Sequence, residues 1–343
     1  MGHLIAVLFV TGRGFPGVRT ATDTSLAGGN RVKIADFAFH CVQREAMAWL
    51  DYLAAAREAG IEGVSLGVGG VTLTRGMDAT RLLSDAAATG RLLNELAEHE
   101  IDLVELNCTG NPLHPDPEIR SRHRKAIESS LELASQIGVR RVTTTSGCPG
   151  TGGGAPTWVV WPIFWDGFYE RQWEETIACW TQLEAKARDR GVRICIELQP
   201  GMMVYNVATF ERLLDATGEA IAVNLDPSHL FYQGMDPIAI AKHLGNRIGF
   251  VHAKDTTIDA AVVSLNGVLD PSPLEAPGRA WTYRAVGEGH PLEWWARFLG
   301  TVRSNGYDGP VCIEHEDPFV HGSEALQVNA NALRAALAMP ESA

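Results

Sequence analysis

The stretch Gly191-Val192-Arg193-Ile194-Cys195-Ile196-Glu197-Leu198 decides the fold, together with the segment that precedes it. Tyr169 to Arg190 carries apolar residues three and four apart, the spacing of one helix face, and stops at a glycine, the residue that most readily takes a left-handed terminating conformation. Val192 to Leu198 is then a short apolar run of strand type. The run ends on a carboxylate.

The same unit recurs in both directions along the chain. Further strands are predicted at Val32–Phe39, Ile61–Leu66, Ile101–Asn107, Val139–Thr145, Ala220–Asp226, Ile248–His252 and Pro310–Glu314, and helical patterns at Arg44–Ala59, Ala79–His99, Ile119–Ile137 and Leu292–Ser304. Gly60, Gly138 and Gly306 stand between a helix and the next strand as Gly191 does. Eight strands alternating with helices predict one α/β domain, a (β/α)₈ TIM barrel over 32–338, with 1–31 as an extension and 339–343 as a tail. A doubly wound sheet usually has fewer strands and a GxGxxG turn after the first one, which is absent.

Length and composition agree with one barrel. The chain has 343 residues, 45% hydrophobic and 20% charged, enough for a full core. A formal net charge of -12 would repel a phosphate backbone, so nucleic acid is not an expected partner. The apolar run Leu4–Val10 lacks a basic start and a small-residue cleavage site, and no stretch reaches the roughly 18 apolar residues of a membrane span. Six cysteines without a CxxC pair read as reduced core thiols of a cytoplasmic protein.

Four strands end on an acid or a histidine: Glu197, Asp226, His252 and Glu314. The C-terminal ends of barrel strands share one mouth, so these four would converge although they are far apart in sequence. Three carboxylates and an imidazole form a mostly hard donor set that suits Mn²⁺ or Mg²⁺ and accepts Co²⁺ or Zn²⁺. Taken singly, each also fits a polar strand end that meets solvent. His229, three residues past Asp226, is a candidate for metal or substrate, and Lys254 for neutralising an oxyanion or for a plain ion pair. Two long connections, 146–168 and 255–291, would cover the catalytic face. The first holds Ser146-Gly-Cys-Pro-Gly-Thr-Gly-Gly-Gly-Ala155, either a phosphate cradle or a hinge, followed by Trp158, Trp161 and Trp165, either sugar-stacking platforms or lid packing.

The segments Asn111-Pro-Leu-His114-Pro-Asp116, Ser146-Gly-Cys-Pro149, Asn224-Leu-Asp-Pro-Ser-His-Leu230, His252-Ala-Lys-Asp255, Arg284-Ala-Val-Gly-Glu-Gly289 and Ile313-Glu-His-Glu-Asp317 resemble the sugar phosphate isomerase/epimerase group of the xylose-isomerase-like barrels. The resemblance spans roughly residues 32 to 338. It implies that Glu197, Asp226, His252 and Glu314 hold a divalent metal, most plausibly Mn²⁺. It also implies that Glu197 and Glu314 shuttle the proton; His229 is a further catalytic candidate, and His114, Trp158, Trp165, Lys254 and Arg284 are the candidates to face the substrate.

The expected ligand is a small sugar or glycoside, and a homo-oligomer or a small partner subunit completing the mouth is compatible with it. Proton abstraction next to a carbonyl would give isomerisation or epimerisation. The same groups would also serve elimination, as in the family's inosose dehydratases and C-glycoside deglycosidases, while a non-catalytic binding barrel is a further alternative. Ketose 3-epimerases carry an Arg six residues after the metal histidine, where this chain has Ile258. Apurinic endonucleases carry an Asp-x-His where this chain has Trp281 and Tyr283, so a trinuclear zinc site is not expected.

Overall fold

The computed structural model describes residues 32–150, 156–158 and 167–340. Eight parallel strands close a barrel: β1 (Ile34–Phe37), β2 (Gly63–Gly67), β3 (Asp102–Asn107), β4 (Arg141–Thr145), β5 (Arg193–Glu197), β6 (Ile221–Leu225), β7 (Ile248–Ala253) and β10 (Val311–Ile313). They run in sequence order around the barrel, and β10 closes it against β1. The remaining two strands, β8 (Asp255–Ile258) and β9 (Trp281–Arg284), form an antiparallel hairpin outside the barrel. The chain is therefore a single-domain TIM barrel, with the expected extension 1–31 outside the described residues.

Most of the outer helices begin on a short acidic or amide side chain that accepts from their first free backbone N–H groups. Asp78, Asp85, Asp116, Asn206, Asp236 and Asp259 do this for α2 (Ala79–Ser84), α3 (Ala86–Glu98), α4 (Pro117–Ile137), α6 (Val207–Ala216), α8 (Pro237–Leu244) and α9 (Ala260–Asn266). Each cap is worth about 1 kcal/mol. Asp85 also explains why the single helix expected over Ala79–His99 is two helices, since its side chain starts a new one by accepting from Ala88 N. At the other end of α4, Gly138 takes φ 78°, as a left-handed terminator should.

The expected helix Arg44–Ala59 begins later than its sequence pattern, as α1 (Trp49–Glu58), and a separate π-helical turn, His40–Arg44, precedes it. The helix α5 (Phe168–Asp189) matches its expected span to within a residue at each end, and buries Trp173 and Trp180. Trp180 Nε1 donates to Ser146 O at 3.0 Å, fixing the helix to the loop that follows β4. The chain is completed by the short α7 (Ser228–Phe231), by α10 (Leu292–Ser304) and by α11 (Gly322–Ala338). The long connection 255–291 holds the β8–β9 hairpin and α9. All six cysteines are free and buried, and no helix among the described residues is long and apolar enough to cross a membrane.

Inside the barrel, parallel register stacks side chains in layers. Ala35, Phe37, Phe39, Val104, Cys195, Ala222, Phe250 and Cys312 pack together as an apolar plug. Strand residues two positions further on point the same way. That period carries the plug into the site: Cys195 leads to Glu197, Ala222 to Asn224, Phe250 to His252 and Cys312 to Glu314.

Candidate metal centre at the barrel mouth

A second step of two residues along the same strands gives the next layer: Asp226 after Asn224, Lys254 after His252 and Glu316 after Glu314. Asp226 and Lys254 are buried, and Glu316 is half-buried beside them. His252 Nδ1 lies 3.0 Å from Glu197 Oε1 and 3.2 Å from Glu314 Oε2. Asn224 Nδ2 donates to Glu197 Oε1 at 3.1 Å and lies 3.0 Å from the same imidazole nitrogen. Lys254 Nζ reaches Glu314 Oε2 at 2.5 Å, Glu316 Oε2 at 3.0 Å and Asp226 Oδ2 at 3.1 Å.

Asp226 divides its two oxygens between structure and site. Oδ1 accepts from Ser228 N at 2.9 Å, which sets the turn into α7, and Oδ2 looks inward. The turn brings His229 back over the cluster, with Nε2 3.5 Å from Asp226 Oδ2 and 4.0 Å from Glu197 Oε2. One donor atom each from Glu197, Asp226, His229 and Glu314 lies within 4.8 Å of the others. His252 adds a second imidazole against two of these carboxylates.

Burial and neighbouring charge oppose each other in setting the proton affinities here. Burial pushes the Asp226 carboxyl up, and this outweighs Lys254 and His229 beside it. For Glu314 burial also works upward, but Lys254 and His252 prevail and hold it well below the usual carboxylate range. Burial lowers His252 and Lys254, yet the surrounding carboxylates raise both well above their ordinary values. Four carboxylates share one ammonium, an arrangement short of positive charge.

The residues fit a hard divalent cation. Asp226 Oδ2 is buried without a hydrogen bond, since Lys254 lies near it but outside hydrogen-bonding geometry, and His252 Nε2 and Asn224 Oδ1 are also unpartnered. Buried polar atoms normally find partners. Orphaned oxygen within a carboxylate-rich cluster is the pattern a cation would satisfy.

Other expected residues lie at varying distances from this centre. Arg284, on β9, donates to Asp317 Oδ2 at 2.9 Å and lies over the Phe319 ring, so its guanidinium is already engaged. His114 accepts from Asp116 N at 3.0 Å in the loop leading into α4. Trp158 donates to Met202 O at 2.8 Å and meets Tyr205 edge-on. Trp161, Trp165 and the glycine run 151–155 lie outside the described residues.

The mouth also contains groups that strand-end reasoning passes over. Asn224 and Glu316 are legible by continuing the two-residue period. Tyr283, on β9, has its hydroxyl 3.0 Å from His229 Nδ1, and Lys254 Nζ lies 4.7 Å from its ring centre. Asp255 accepts from the backbone N–H groups of Gly287, Gly289 and His290 and from Trp295 Nε1, fixing the chain that returns from the hairpin to α10. Asn111 ties the loops after β3 and β4 together through Cys148, and a Cβ on Gly147 would meet its Oδ1 at 2.6 Å. Only glycine fits there.

The chain belongs to the xylose isomerase-like TIM barrel family, whose model matches residues 53–336. Among curated proteins it is 34% identical over 293 residues to the uncharacterized protein YfiH of Bacillus subtilis (strain 168), covering 83% of this chain and 93% of that one. It is 33% identical over 98 residues to an inosose dehydratase of Clostridium perfringens, a match that covers 27% of this chain and only 33% of the dehydratase.

Three solved structures share the fold. The probable 3-DHS dehydratase AsbF of Bacillus anthracis has a TM-score of 0.64 at 17% identity, covering 88% of this chain and 98% of its own. IolI protein, solved with a zinc atom, has 0.63 at 16%, covering 90% and 100%. A D-tagatose 3-epimerase-like protein has 0.61 at 15%, covering 89% and 97%. At such identities the likeness is one of fold. The fold is thus shared with proteins described as a dehydratase and as epimerase-like.

Proposed function

We propose that the chain is a divalent-metal-dependent enzyme that removes a proton next to the carbonyl of a sugar or keto sugar, of isomerase or epimerase type. The observation that carries this reading is the convergence of Glu197, Asp226, His252 and Glu314 on one mouth with a buried, unpartnered carboxylate oxygen at its centre. These four would hold the ion, with His229 as a further donor or a substrate contact. Mn²⁺ or Mg²⁺ suits the oxygen-rich set, and Zn²⁺ or Co²⁺ is compatible with it. The chemistry such an ion supplies is Lewis-acid neutralisation of an enediolate oxygen, worth several kcal/mol.

The chain's own residues do the rest. Glu197 and Glu314 both lie against His252 Nδ1 and are the groups to take the proton from carbon and return it. Lys254 offers a fixed positive charge beside the developing oxyanion. A second reading, elimination, is favoured by Ile258 in place of the arginine of ketose 3-epimerases and by the partial match to inosose dehydratase. There the same base removes the proton, and His229 or Lys254 protonates the departing β-oxygen.

Incubation of the metal-loaded protein in D₂O with a panel of keto sugars tests both readings. Metal-dependent deuterium entry at the carbon next to the carbonyl is expected; none across the panel contradicts both. Product analysis with a 3-keto glycoside then separates them, because isomerisation keeps the aglycone and elimination releases it.

A further inference from the structure

The cluster described above occupies β5, β6, β7 and β10, on one side of the mouth. Beyond the end of β1, the strand hydrogen-bonded to β10 at the edge of that arc, stands His40. It is 5% exposed and makes no side-chain hydrogen bond among the described residues, yet its ring nitrogens are not sealed off from solvent. A buried imidazole normally satisfies at least one nitrogen. This one is held only by rings, edge-on to Phe37 at 5.8 Å and to Phe39 at 5.5 Å.

Its position ties it to the centre. Phe37 lies nearly parallel to His252 at 6.4 Å, so one aromatic ring touches both His40 and a proposed metal ligand. The carboxylates of Glu316 and Glu314 and the ammonium of Lys254 are near enough to act on its proton affinity, while burial, the largest influence, pushes it down to about 4. A neutral imidazole has one donor and one acceptor, the pair that a hydroxyl group matches. The π-helical turn His40–Arg44 that carries it, closed by Glu45 N donating to His40 O at 3.0 Å, is a wide turn of a kind common at functional sites.

We propose that His40 is a substrate-binding residue, receiving a hydroxyl of a keto sugar or keto polyol whose carbonyl end lies on the carboxylate cluster. The proposal rests on the reading of function above. It assigns the two unfilled hydrogen-bonding positions of the imidazole to the substrate, and it makes the β1 edge of the carboxylate cluster a place where a substrate hydroxyl is recognised.

The test uses 2-keto-myo-inositol, D-fructose and a 3-keto glucoside as probes in the D₂O exchange assay, with metal stoichiometry measured in parallel. His40→Phe keeps an aromatic ring of similar shape and removes only the nitrogens, and His40→Gln restores a donor and an acceptor. For the probe that exchanges with wild type, His40→Phe should raise KM roughly 10- to 100-fold with kcat within a few-fold and metal content unchanged, and His40→Gln should recover part of the loss. An unchanged KM in His40→Phe overturns the proposal and leaves the functional reading standing. Loss of metal in His40→Phe overturns it in favour of a purely structural role. Failure of wild type to exchange any probe overturns the functional reading and this proposal with it.

Discussion

On the inward positions where β5, β6, β7 and β10 open into the mouth stand Glu197, Asn224, Asp226, His252, Lys254, Glu314 and Glu316. On β1 and β4, the strands that flank this arc on either edge, the corresponding places hold Phe37 and Thr145, and the Thr145 hydroxyl is already donated to Gly110 O at 2.8 Å. Both regions are built from the same repeat, with the same two-residue alternation feeding the mouth. The difference lies in what the last inward residues are: the arc of β5, β6, β7 and β10 gathers charge, whereas β1 and β4 beside it end on a ring and on an internally bonded hydroxyl. A barrel can therefore place reactive groups on part of its rim while the rest supplies walls and the stability that buried charge costs.

The comparison is broken most forcefully by Glu314→Gln. It removes a charge from the centre while keeping shape, and exchange into substrate should fall by on the order of 10³-fold. Thr145→Val, on β4 beside Glu197 but with its hydroxyl engaged elsewhere, should leave it within a few-fold. Equal losses would show that the two regions do not differ in the proposed way.

Lys254→Met tests whether the charged side is held together by its one ammonium. Lys254 is 2% exposed and paired with Glu314, Glu316 and Asp226, and removing one partner of a buried ion cluster typically costs about 3–5 kcal/mol. The metal-free variant should melt well below wild type, and added Mn²⁺ should raise its melting temperature more than it raises that of wild type. Equal metal-induced shifts in the two proteins would mean that lysine and cation do not share the same carboxylates.

Asp36 gives the comparison a pH axis. It lies on β1, buried, with the Tyr52 hydroxyl donating to it at 2.9 Å, and burial pushes its carboxyl up to about 7, whereas cations pull Glu314 down. A raised folded pKa means that its contribution to stability is complete below about pH 4 and is lost as pH rises through about 7. Asp36→Asn should thus gain on wild type across that window, by up to about 4 kcal/mol at pH 8. Urea unfolding at pH 5 and pH 8 measures this, and a difference that does not grow with pH would contradict it. The smallest expected effect is on folding in Thr145→Val, where one hydrogen bond is worth about 1 kcal/mol and metal affinity should not move.

Much of this was legible in the sequence because the barrel repeats. The eight strands follow from apolar runs set off by helix-ending glycines, and Glu197, Asp226, His252 and Glu314 stand out as polar residues at the ends of those runs. Asn224, Lys254 and Glu316 needed the two-residue period to be carried past the strand ends. The split of the expected helix at Asp85 turns on one side chain that either continues a helix or caps a new one, a choice set by where the chain must turn.

Long-range contacts left no local signal. Asp255 organises Gly287 to His290 from more than thirty residues away, Arg284 is engaged by Asp317, and Tyr283 meets His229 only because the hairpin folds back over the mouth. His40 follows an apolar run, where a histidine reads as one more core residue.

Metal titration of the demetallated protein tests the central claim most directly. Isothermal calorimetry with Mn²⁺ and Zn²⁺, checked by elemental analysis, should find about one ion per chain, with affinity lost in Glu197→Gln and Asp226→Asn and kept in Thr145→Val. No saturable binding, or binding that survives both of the first two substitutions, would contradict the account.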